Sequence, residues 1–141
     1  MTILKLIRLV LILLLFIALF IFLSKIFLSS FLLVSYEEID VYVTVEDIAG
    51  FNVNSSALYF GAIPPRGIGN RDIFLFNDDC SKCSVNLRGD GEIANWLSIS
   101  DNNFVMFKGD NKTINVKVYI PSDAEYDNYT AKLKIYFWKT F

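Results

Sequence analysis

The chain contains no histidine. That removes the commonest general base and the commonest metal ligand. It has two cysteines, Cys80 and Cys83, too few for a four-ligand zinc site within one copy. No glycine-rich phosphate loop, nucleophile elbow or paired-carboxylate signature occurs. Positive charge is scarce beyond Ser35. Fifteen Asp and Glu lie there against ten Lys and Arg, a net charge of -5. Nucleic-acid binding and adhesion to anionic lipid both rely on basic patches, so both are disfavoured. Internal repeats and low-complexity linkers are also missing. These absences point to a non-enzymatic protein with no cofactor, no metal and no nucleic-acid partner.

What is abundant is apolar sequence at the start. Leu9 to Leu23 reads LVLILLLFIALFIFL, with no charge and no polar group. Past Ser24 and Lys25 the run continues to Val34. A span needs ~20 apolar residues at 1.5 Å rise, and as one helix Leu9–Val34 would reach about 39 Å against a ~30 Å hydrocarbon core. The surplus allows tilt or an outer turn lying at the interface. Lys5 and Arg8 fall at the near interface, Lys25 snorkels at the far one, and Glu37, Glu38 and Asp40 follow. Positive residues favour the cytoplasm, which predicts an inside N-terminus and an extracytoplasmic C-terminal domain. The rival is a cleaved signal peptide, but its apolar core is shorter, and Leu33 and Ser35 stand where two small residues are wanted. The expected plan is a tip and signal-anchor over 1–35, single-pass in the cell membrane, and an external domain over 36–141.

In that domain period-two alternation dominates. Ile39–Val45, Ser84–Arg88, Thr113–Ile120 and Tyr129–Trp138 each put β-branched or aromatic residues on one face, as half-buried strands do. Ser56–Phe60, Asp72–Phe76, Ile93–Ile99 and Asn103–Phe107 are shorter candidates, and Trp96 is placed to plug one end of a core. Ile63 to Asn70, with Pro64, Pro65, Gly67 and Gly69, reads as an extended turn-rich link. Seven or eight strands at ~8–12-residue spacing without an amphipathic helix predict an all-β domain, an immunoglobulin-like antiparallel β-sandwich after one transmembrane helix. An OB-like barrel is the alternative.

Several residues carry a resemblance. Phe60-Gly61, Pro65, Arg71–Asn77, a core tryptophan, Phe104, Ile114–Val118, Pro121 and Tyr129 occur in an order that resembles immunoglobulin-like domains of the major-sperm-protein, Hydin-like and pilus-chaperone type. In those, Phe-Gly precedes a strand ending in Asn, and a late Val-x-Val…Pro precedes a Tyr-bearing last strand. The resemblance covers Leu58 to Phe137 and implies a scaffold or binder. The whole plan, anchor plus sandwich, is similar to archaeal surface proteins such as the archaellum stator subunits.

Candidate sites follow. Cys80-Ser81-Lys82-Cys83 reads as a disulfide across a turn in an oxidising compartment. Redox-active thiols, a metal shared between copies and an intermolecular bond are the alternatives. The sequons at Asn54, Asn111 and Asn128 are candidate glycan acceptors, or chance matches in turns. Asp78-Asp79, Asp101–Asn103 and Asp123–Asp127 read as solvated turns, since none has the spacing of a calcium loop. Two strands look apolar on both faces, at Phe74 and Phe76 and at Tyr136 and Trp138. Such stripes mark contact with a partner, unless the anchor's outer turn or the loop at Ala62–Ile68 covers them.

The expected function is presentation of an external β-sandwich for protein or envelope binding, or for self-association. A pilin-like filament subunit, its apolar helix in a fibre core, is the second reading. A redox or other enzyme is the third.

Overall fold

The computed structural model describes residues 3–47 and 57–140. Its contacts divide the chain into two units, Met1–Leu33 and Val34–Phe141, two residues before the boundary drawn from hydropathy.

The first unit is a single helix, α1, over Ile3–Leu32. Leu, Ile and Phe fill it without proline or glycine, so nothing interrupts the i→i−4 ladder. Lys5–Phe27 is long and apolar enough to cross a membrane.

The second unit is a two-sheet sandwich. Its strands are β1 (Leu33–Val45), β2 (Leu58–Ile63), β3 (Ile68–Phe76), β4 (Lys82–Asp90), β5 (Leu97–Ile99), β6 (Phe104–Phe107), β7 (Asn111–Tyr119) and β8 (Asn128–Lys139). One sheet has the order β2-β1-β8-β4-β6 and the other β3-β7-β5. From β3 onward each strand lies in the sheet opposite its predecessor, the crossing pattern of an immunoglobulin-like sandwich.

Alternation explains the core. Ile114, Val116 and Val118 of β7, Ile73 and Leu75 of β3, Val85 and Leu87 of β4, and Leu133, Ile135 and Phe137 of β8 point inward and are buried. Val41, Val43 and Val45 of β1 join them. Burial of each such side chain contributes roughly 1.5–3 kcal/mol.

Four expectations need correction. Strand β1 begins at Leu33, not Ile39, and the added residues are exposed or half-buried on both faces. Cross-strand partners hold them instead: Tyr36 beside Tyr136, Glu38 beside Lys132, and Thr44 beside Asn128. These pairs run in opposite senses, so β1 and β8 are antiparallel. Strand β2 pairs parallel with β1, whereas β3 with β7, β4 with β6 and β8, and β5 with β7 all pair antiparallel. The link at Ile68–Asn70 is strand, because β3 pairs with β7 along its full length from Ile68↔Tyr119 to Phe76↔Asn111. Gly69 fits there because a Cβ would come within 2.6 Å of Ile63 Cδ1 and 2.7 Å of Phe60 Cδ1. Finally, Ile93–Ile99 is a one-turn 3-10 helix, Ala94–Trp96, followed by the short β5.

Candidate functional site

The four aromatic side chains expected to meet a partner fall into two pairs. Phe74 and Phe76 alternate with the buried Ile73 and Leu75 and so face outward from β3, an edge of the three-stranded sheet. Phe74 is 84% exposed and Phe76 57%. Tyr136 and Trp138 face outward from β8, within the five-stranded sheet, and are half-buried. Their rings stack with centroids 6.0 Å apart, and Tyr36 lies 5.1 Å from Tyr136. The two pairs therefore occupy opposite outer faces of the sandwich, while sharing one end of it. Phe76 is registered with Asn111 at the start of β7, and Trp138 with Ser84 near the start of β4.

That end carries further apolar surface which the sequence did not announce. Val105 and Phe107 of the edge strand β6 are exposed, Phe107 opposite Lys82. Their alternation with the buried Met106 is the signal that could have found them.

Beneath this surface, Cys80 in the connection after β3 forms a disulfide with Cys83 at the start of β4, their Cα atoms 6.1 Å apart. Both are buried. Asn77 is the buried polar residue beside them. Its side-chain amide donates to the carbonyls of Cys80 (3.0 Å) and Met106 (3.1 Å), and its oxygen accepts from the Cys80 N–H (3.2 Å). In the sequence Asn77 stands directly before Asp78-Asp79, a pair that reads as a solvated turn. Its burial follows from having every polar atom paired.

At the other end, Asp40, Tyr42, Asp90, Gly91, Glu92, Thr130, Ala131 and Lys132 line a shallow groove of about 370 Å³. Tyr42 stacks on Tyr59 at 4.8 Å. Lys132 donates to Glu38 and Lys134 to Asp90. These hydrogen bonds, first from Lys132 and then from Tyr36, hold the Glu38 carboxyl below its ordinary value. Lys134 does the same for Asp90. The two lysines are raised in turn by their carboxylate partners. Tyr36 donates to Glu38 Oε2 at 2.5 Å, and this bond, followed by desolvation, pushes its hydroxyl up to about 12. The arrangement is a set of exposed ion pairs and hydrogen bonds that tie β1, β4 and β8 together.

The acidic and amide loops act structurally. Asn102 receives the Leu87 N–H (2.8 Å) and donates to the Leu87 carbonyl (2.7 Å), so a side chain continues the ladder beyond β6. Asp101 accepts from Lys112, which lies 4.0 Å over the Phe104 ring. Among the described residues no group of three or more His, Cys, Asp or Glu is placed to hold a metal ion. Of the sequons, Asn111 and Asn128 are exposed at the starts of β7 and β8. Asn54 lies outside the described residues. Trp96 is half-buried against Tyr129, 4.8 Å between ring centroids.

No protein-family model matches the chain, and no curated protein matches it. Solved structures with some likeness include the DraE adhesin in complex with chloramphenicol succinate, at 14% identity and a TM-score of 0.47, covering 76% of this chain and 97% of that one. The DaaE adhesin is 14% identical with a TM-score of 0.43, covering 75% and 98%. The Burkholderia pseudomallei antigen and type I fimbria protein BPSL1626 is 16% identical with a TM-score of 0.33, covering 76% and 99%. At these values the likeness assigns no role to any residue.

Proposed function

We propose that this chain is a non-enzymatic, single-pass membrane protein that holds a β-sandwich outside the cytoplasmic membrane for docking. Its N-terminus is inside. It binds an envelope component, a surface protein or a second copy through exposed apolar side chains. The observation that carries the reading is the direct junction of two chemistries. A helix that carries a span-length apolar stretch, Lys5–Phe27, ends at Leu32, and a strand of the sandwich begins at Leu33. Exposed phenylalanines on β3 support the docking mechanism, since patches of that kind on a folded surface mark contacts.

The test is photo-cross-linking in the protein's own membrane, with a photoreactive phenylalanine at position 74 or position 42. The reading expects a discrete adduct from at least one position. Absence of any adduct from both would sink it.

A filament subunit is the second reading, and helix length favours it. Thirty residues at 1.5 Å rise give about 45 Å, more than one ~30 Å hydrocarbon core requires. Shearing intact cells separates the two, because a filament subunit sediments with released fibres and an anchored binder stays with the membrane.

A further inference from the structure

Exposed apolar side chains are not spread evenly over the sandwich. Phe74 and Phe76 on β3, Val105 and Phe107 on β6, and the ring row from Tyr36 to Trp138 all lie toward the end where β1 begins. The strand registers establish this: Phe76 sits at the last residue of β3, Phe107 opposite the first of β4, and Trp138 opposite Ser84. Among the described residues, the exposed large side chains toward the opposite end are mostly tyrosines, at 42, 119 and 126, with hydroxyls suited to water, and Ile68 is the aliphatic exception.

That apolar end is also where the chain arrives from α1, which ends at Leu32 with no connecting loop before β1. Leu32 and Tyr36 are separated by at most about 14 Å of extended chain. The span itself ends at Phe27, and the five helical residues from there to Leu32 add about 7.5 Å, so Tyr36 lies within about 22 Å of the span's end, and an outer turn lying at the interface brings this end to the headgroups. Trp and Tyr favour that interface, and Phe gains by leaving water for the acyl boundary.

We propose that this aromatic collar rests in the headgroup region of the same bilayer the helix crosses, so that the bilayer itself is the first partner of the docking surface. The inference rests on the anchored reading above. It commits to lipid and not to a second copy, because the apolar rows girdle the end where the chain enters on both sheets and an edge, rather than forming one flat patch. Lys82, Lys108 and Lys139 at that end are matched by Glu37, Asp78, Asp79 and Asp110, so contact needs no anionic headgroup. The far end, with its groove, is left facing outward for partners from solution.

Tryptophan quenching in vesicles tests this. The chain has two natural tryptophans, Trp138 in the collar and Trp96 outside it. The full chain is reconstituted in dioleoylphosphatidylcholine vesicles with or without brominated phosphatidylcholine. Trp96→Phe leaves Trp138 as reporter, and Trp138→Phe leaves Trp96. In the double-substituted background, Phe74→Trp and Phe107→Trp report on the collar and Phe16→Trp on the helix. Each variant is first checked for its β-sheet circular dichroism. The expected result is bromine-dependent loss of emission at 16 and at two or more of positions 74, 107 and 138, with none at 96. Loss at 16 but at fewer than two collar positions overturns the collar while the anchor stands. No loss at 16 overturns the anchor and the collar with it. Loss at 96 as well as throughout the collar overturns the end-specific contact.

Discussion

The side-chain amide of Asn77, in the connection after β3, donates a hydrogen bond to the backbone carbonyl of Met106 on β6, 3.1 Å away in the buried interior. It ties one sheet's exit to the other sheet's edge strand. Asn77→Ala removes this bond and the two to Cys80, stranding buried backbone groups at about 1–3 kcal/mol each when unsatisfied. The expected outcome is a markedly lower urea midpoint for the full chain in detergent. Asn77→Asp should not rescue it, because a carboxylate cannot donate to two carbonyls.

The disulfide beside Asn77 closes a short loop, three residues apart in sequence. Chain entropy for so small a loop gives about 2 kcal/mol. Cys80→Ala/Cys83→Ala is therefore expected to lower the unfolding midpoint while keeping the β-sheet circular dichroism. A variant that fails to fold at all would show that the bridge is the organising contact of that end.

Stability should form a plateau in pH. Glu38 and Asp90 titrate below their ordinary values, so their contribution is present above the normal carboxylate range and is lost as pH falls through the lowered folded values. Lys132 and Lys134 are raised, so theirs is complete below the ordinary lysine value and is lost as pH rises through the raised ones. Tyr36, raised to about 12, adds a loss on the alkaline side, beginning above the ordinary tyrosine value of 10.0. Urea midpoints measured across pH check this, and Lys132→Gln should flatten the acid limb. All these groups face solvent, so salt should shrink the effect.

Strand β3 passes close to β2 at Gly69, where a Cβ would also lie 3.0 Å from Val118 Cγ1. Overpacking of this kind costs about 1–3 kcal/mol. Gly69→Val is expected to destabilise more than Gly69→Ala, as read by thermal unfolding.

Legibility followed burial. In β7 the alternation of Ile114, Val116 and Val118 was plain because one face is in the core and the other is not. The same logic located Val85 and Leu87, and the inward set of β8. The first half of β1 could not be read this way, since Ser35 to Glu38 bury neither face deeply and are held by neighbours distant in sequence. Alternation also reveals which side chains face outward but not on which sheet, so it could not tell that Phe74 and Trp138 lie on opposite outer faces. The parallel pairing of β2 depends on how the chain returns, which no local pattern encodes. Asn77 lay hidden because an asparagine before Asp78-Asp79 looks like a solvated turn, and its partner Met106 is 29 residues away.

Everything about the proposed role depends on which side of the membrane each unit occupies. The direct measurement is labelling of single introduced cysteines by a membrane-impermeant maleimide in intact spheroplasts, the native pair being bridged. The account predicts that Ser122→Cys is labelled without lysis and that Ile3→Cys is labelled only after it. Labelling of position 3 in intact spheroplasts, with position 122 protected until lysis, would contradict it.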